Sequence, residues 1–201
     1  MSALSVYIKK QKERNDLCGD FARDFIRTVE GPEVWVEDGD INELESETLY
    51  GFYQHLPHQR ISLDSDVFLA LVELWKEWIC YKHIGLKFNA APVGYIYFFN
   101  IPGKNVFKIG RTALNPETRK LQVEAQEKVN LEIYNWIKIK NYDLIETELK
   151  NAFRKYQIQR EWFQFEYVGD NFCLEIDEAI ECYSKTSEDY ETMKPIGEDD
   201  E

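Results

Sequence analysis

The chain is poor in the residues that build metal clusters and disulfide scaffolds. Four cysteines (Cys18, Cys80, Cys173, Cys182) and three histidines are spread over 201 residues, and no two cysteines stand as a Cys-x-x-Cys pair. Zinc sites draw on closely spaced ligand pairs, so this pattern points to buried free thiols. No apolar run approaches the roughly 20 residues of a membrane helix. The first ten residues lack the order of a signal peptide, in which the charges precede the apolar stretch. These absences predict a cytoplasmic protein with no membrane contact. Positive charge is also short: 24 Lys/Arg stand against 37 Asp/Glu, a net charge of −13. Taken whole, that balance argues against nucleic acid as a partner.

The deficit is uneven. Residues 1–90 carry 10 Lys/Arg against 16 Asp/Glu, residues 169–201 carry 2 against 12, and residues 91–168 carry 12 against 9. The middle segment alone is basic, and a local basic stretch is the electrostatic footprint of a polyanion binder. With 44% hydrophobic and 14% aromatic residues the chain can bury a real core, and its length allows one to two domains.

The first 87 residues read as a small all-helical unit. Apolar residues at helical spacing (Leu17, Phe21, Ala22, Phe25, Ile26) predict a helix over 4–27, stopped by Gly31-Pro32. Asp38-Gly39-Asp40 is a turn, a helical piece surrounds Tyr50–Leu56, and Pro57 breaks it. Ser62-Leu63-Asp64-Ser65-Asp66 offers N-caps for a helix through Phe68, Trp75 and Ile79. The Tyr7-Ile8-Lys9-Lys10 start, the Gly19–Ile26 run and the Phe68…Trp75…Tyr81 helix resemble the YozE-type SAM-like helical domain. That resemblance implies a compact bundle of adaptor type, a surface for a protein partner, and no catalytic residues.

After the Phe88–Pro92 linker the pattern changes. Strands are predicted over 93–99 and 106–111, joined by a Pro-Gly turn, then a helix over 116–128 with Asn115 as N-cap and Pro116 as its first residue. Alternating Leu131, Ile133, Ile137 and Ile139 give a third strand. Ile145, Leu149, Ala152, Phe153 and Tyr156 form a helix stripe, Trp162–Phe165 a short strand, and Asn171–Tyr183 a last helix. The order β-β-α-β-α-β is that of an α+β domain with a small antiparallel sheet, here residues 91–183, followed by an acidic disordered tail over 184–201.

Strand parity groups the polar side chains. If Ile96 and Ile109 are core, Tyr97 and Lys108 share the outward face. Arg111 begins the following loop, Arg119 lies on the next helix's first turn, and Glu146 borders the stripe of the later helix. A phenol near a cation, one or two arginines and one carboxylate are what metal-assisted phosphodiester cleavage needs. Each has a plainer reading too. Tyr97 would be a sheet aromatic, Lys108 a strand lysine and Arg111 a salt-bridged turn residue. Arg119 would pair with Glu117 or Glu124, Glu146 with Lys150, and Glu161 would order its loop.

Tyr95-Ile96-Tyr97, then Lys108-Ile109-Gly110, Arg119, Glu146 and Glu161-Trp162-Phe163, together resemble the GIY-YIG nuclease superfamily over about 93–166, in its short subgroup with Lys-Ile-Gly. The resemblance implies a DNA endonuclease dependent on Mg²⁺ or Mn²⁺, with Glu146 as metal ligand, Arg119 and Arg111 on the phosphate, Tyr97 as proton carrier, and Lys108 as phosphate contact or base. Lys108 stands where the family carries its second tyrosine, and Tyr95 where it carries glycine. A catalytically inactive nucleic-acid binder on the same fold, and a protein-interaction module using the acidic helical half, are the alternative classes.

Overall fold

The computed structural model describes residues 3–30, 47–54, 56, 62–83, 86, 88–165 and 173–193. The turn expected at Asp38–Asp40 and the Gly31-Pro32 and Pro57 breaks lie outside them. The chain divides into two compact units, Met1–Phe88 and Asn89–Glu201, a boundary close to the expected linker. Among the described residues are seven α-helices and one six-stranded antiparallel sheet, so the fold is α+β. No described helix is long and apolar enough to cross a membrane.

In the first unit, α1 (Ala3–Lys9), α2 (Leu17–Glu30), α3 (Leu49–Gln54) and α4 (Asp66–Lys82) pack around Leu4, Ile8, Ala22, Phe68, Leu71 and Trp75. The single helix expected over 4–27 is two helices. Two side chains hold the break: Asp16 accepts from the Gly19 amide at 3.0 Å, and Arg14 reaches Glu77 of α4 at 2.7 Å. Ser65 caps α4 by accepting from the Phe68 amide, as its place before the apolar run predicts.

In the second unit the strands are β1 (Val93–Asn100), β2 (Val106–Thr112), β3 (Glu132–Lys140), β4 (Gln157–Gln159), β5 (Trp162–Gln164) and β6 (Glu191–Thr192). Their order across the sheet is β4-β5-β2-β1-β3-β6. The helices are α5 (Pro116–Glu127), α6 (Tyr142–Ala152) and α7 (Leu174–Ser184). Asn115 caps α5 by accepting from the Glu117 amide at 2.8 Å, with Pro116 in the first turn.

Both faces of the central strands are covered. One carries Tyr97 and Phe99 opposite Gly110 and Lys108, and packs with Val123 of α5 and Leu131. The other carries Ile96, Phe98, Phe107 and Ile109, all buried, beneath α6. The first residue of α6, Tyr142, lies against Gly94, where a Cβ would come within 2.7 Å of its ring.

The chain's end corrects the expectation of a coreless tail. Ser184 closes α7, Thr186 is buried, and β6 pairs with β3 through Ile137–Thr192 and Lys138–Glu191. Residues 194–201 lie outside the described set.

Candidate functional site

The motif tyrosine and lysine share a sheet face, as parity predicts, but that face is not outward. Tyr97 is 1% exposed and Lys108 5%. Parity tells which residues neighbour one another; whether a helix covers them is decided by α5. The Tyr97 ring stacks on Phe99 with centroids 4.1 Å apart. Its hydroxyl sits over Gly110, where an added Cβ would come within 2.6 Å of Tyr97 Cζ and closer still to the oxygen. The glycine of Lys-Ile-Gly is thus the floor on which the phenol rests. The hydroxyl itself has no hydrogen-bond partner among the described residues.

Lys108 is held on three sides. Its ammonium donates to Glu127 of α5 at 3.1 Å, pairs with Glu161 at 3.3 Å, and lies 5.0 Å from the centroid of the Trp162 ring. Burying an ammonium costs heavily unless it is paired, and here two carboxylates pair it. Glu161 continues the chain of charges. Its other oxygen accepts from Lys150 at 2.8 Å, and Lys150 also pairs with Glu146, one helical turn back on α6.

Burial works to lower the Lys150 pKa, but hydrogen bonds to Glu146 and Glu161 outweigh it and hold the ammonium above its ordinary range. Burial likewise works to raise Glu161, and the hydrogen bond and charge of Lys150, helped by Lys108, bring it below the ordinary carboxylate range. The result is an alternating run, Glu127–Lys108–Glu161–Lys150–Glu146, around the β2–β5 side of the sheet. It connects the lysine of one motif to the glutamate of another without direct contact between them.

The arginines stand apart from this run. Arg111 is paired with Asp143 in the first turn of α6 at 2.5 Å. Arg119 donates to Gln122 at 3.2 Å, not to Glu117 or Glu124, and its buried Nε has no partner. The structure therefore brings Lys108 and Glu146 into one network and leaves Arg111 and Arg119 outside it.

The connecting residues are the part sequence reasoning undervalued. Glu161 reads as a loop-ordering residue and Lys150 as a plain helix partner. Both roles are real, and together they form the bridge. The signal available was their spacing: Lys150 four residues after Glu146, and Glu161 beside the aromatic that flanks Lys108.

One oxygen of Glu146 is taken by Lys150, and the other has no partner among the described residues. No group of three or more His, Cys, Asp or Glu side chains able to hold a metal occurs among the described residues. Any metal here would depend on Glu146, with water and phosphate completing its shell.

The family model of the T5orf172 domain matches residues 94–187. This is a domain of the GIY-YIG/HNH-like endonuclease-associated class. The T5orf172 match starts in β1, runs past α7, and contains every residue of the network; it does not reach the first unit. No curated protein and no solved structure matches the chain.

Proposed function

We propose that the T5orf172-like unit binds DNA and hydrolyses its phosphodiester bonds with Mg²⁺ or Mn²⁺. The carrying observation is the run from Lys108 to Glu146, which links a cation and a carboxylate through alternating ion pairs inside the matched region. Glu146 would hold the metal, which supplies Lewis-acid neutralisation of charge on the phosphate.

Lys108 and Lys150 are the cations nearest that carboxylate in the network. Each is held by carboxylates that a phosphate oxygen can replace as partner, because both are charge-assisted acceptors. The Tyr97 hydroxyl, unbonded above Gly110, can accept or donate a proton through a bound water. Arg111, whose guanidinium lies on an exposed pair, and Arg119 are further candidates for phosphate contact outside the network.

One observation favours a binder that does not cleave. Lys150 already neutralises Glu146, and Lys108 is nearly sealed, so the resting site is closed. Nicking of supercoiled plasmid with and without Mg²⁺ separates the readings. Metal-dependent nicking that disappears in Glu146→Ala and Glu146→Gln is expected. Metal-independent binding without nicking would replace the hydrolase with the binder. Equal nicking by wild type and both variants would remove Glu146 from the metal role.

A further inference from the structure

The cations of the second unit differ in how they are paired. Lys108, Arg111, Lys120, Lys138, Lys140 and Lys150 are each paired with a carboxylate. Lys104, Lys128, Arg154, Lys155 and Arg160 are exposed and have no carboxylate partner among the described residues; Lys104 and Lys128 stand singly, whereas Arg154, Lys155 and Arg160 are clustered. These three bracket a single element. Arg154 and Lys155 lie in the 3₁₀ turn Arg154–Tyr156, which leads straight into β4. Arg160 occupies the β4–β5 turn with a left-handed φ of 43°.

β4 is an edge strand whose three residues, Gln157, Ile158 and Gln159, are all exposed. Seven successive residues, 154–160, thus hold three cations and no acid. Lys155 extends over the Tyr156 ring, its ammonium 5.0 Å from the centroid, so its stem is supported while its charge stays in water.

We propose that the β4–β5 hairpin is a docking surface for the phosphate backbone of duplex DNA. The inference rests on the DNA-processing reading and gives it a contact surface outside the network. Charge complementarity selects the occupant: unpaired, exposed cations gain most from a polyanion, because their binding releases condensed counterions without first breaking an internal ion pair.

The spacing suits a duplex. Along β4, Gln157–Gln159, the chain advances about 7 Å at strand rise, which spans about two phosphate steps of one strand along the helix axis. A two-stranded β-ribbon also fits the major groove. The hairpin leads directly to the network, since Arg160 precedes Glu161 and Trp162 pairs with Lys108 in the sheet. DNA held on β4 would lie next to the lysine–glutamate run.

The test measures affinity of the full chain for a short labelled duplex across a salt series. The variant is Arg154→Gln/Lys155→Gln/Arg160→Gln, and Lys138→Gln/Lys140→Gln serves as a control drawn from the paired cations. Thermal melts by circular dichroism verify that each variant is folded. Wild type is expected to bind with a steep salt dependence. In the triple variant the slope of log affinity against log salt should fall by about 2–3, near 0.9 per lost phosphate contact. The control should stay close to wild type. An unchanged slope in the folded triple variant, or an equal fall in the control, would overturn the hairpin surface while leaving the DNA reading standing. Absence of wild-type binding at low salt would overturn both.

Discussion

Gly110 shows how a motif letter becomes a physical requirement. Its missing side chain is the space occupied by the Tyr97 phenol. Gly110→Ala must push either the ring or the strand, and overpacking of this kind costs about 1–3 kcal/mol. Urea unfolding should show a lower midpoint for the variant, and an unchanged midpoint would mean that the phenol is not seated there. Glu161 makes a second residue-scale prediction, on pH. Its folded pKa lies below the unfolded value, so its stabilisation is complete above about pH 4.3 and is lost as pH falls through the folded value. Lys150 has the opposite sign: a raised pKa gives stabilisation present below about pH 10.4 and lost as pH rises through the folded value. The stability gap between wild type and Glu161→Gln should be widest between about pH 5 and 10 and should close in acid. Urea midpoints over a pH series would reveal it; a gap that stays constant to pH 3 or so would argue against the Lys150 pairing.

At the scale of elements, α5 carries Arg119, Val123 and Glu127, so its start fixes the cover over Tyr97 and one partner of Lys108. Asn115→Ala removes the side-chain acceptor for the Glu117 amide and should cost about 1 kcal/mol. A drop in thermal midpoint reversed by Asn115→Asp or Asn115→Ser is the expected pattern. The cap was legible in the sequence because Asn-Pro before a polar helix is a local signal. So were β1, β2, β3, α4 and α6, where periodicity runs long enough to read. The break between α1 and α2 was not, because Arg14 finds Glu77 across 63 residues of chain, and no pattern within one helix announces that. Edge strands β4 and β6 have three and two residues, too few for alternation to register. The site was half legible. Residue identities and strand parity came from the sequence, whereas burial by α5 and the bridge through Glu161 and Lys150 depend on helices packed over the sheet.

On the scale of the whole molecule, the net charge of −13 conceals how the cations are spent. Most lysines of the second unit are matched to acids, including Lys138 to Glu191 at 2.9 Å and Lys140 to Asp189 at 3.1 Å. Those two pairs tie the acidic C-terminal stretch to β3, where β6 closes one side of the sheet. The described part of that stretch, through Met193, belongs to the fold of its unit. The opposite edge strand, β4, has no further strand beside it among the described residues and bears three of the unpaired cations.

That asymmetry has a consequence when no ligand is present. A bare strand edge is a template for a second copy of the same chain. Two copies meeting along β4 would bring Arg154, Lys155 and Arg160 against their own counterparts, and like-charge repulsion would oppose that contact. Neutralising these three residues should therefore increase light scattering at low salt, where screening is weakest. Added salt should increase it in the wild type as well. The hairpin that lacks an internal counterion is, on this account, also the chain's guard against sticking to itself.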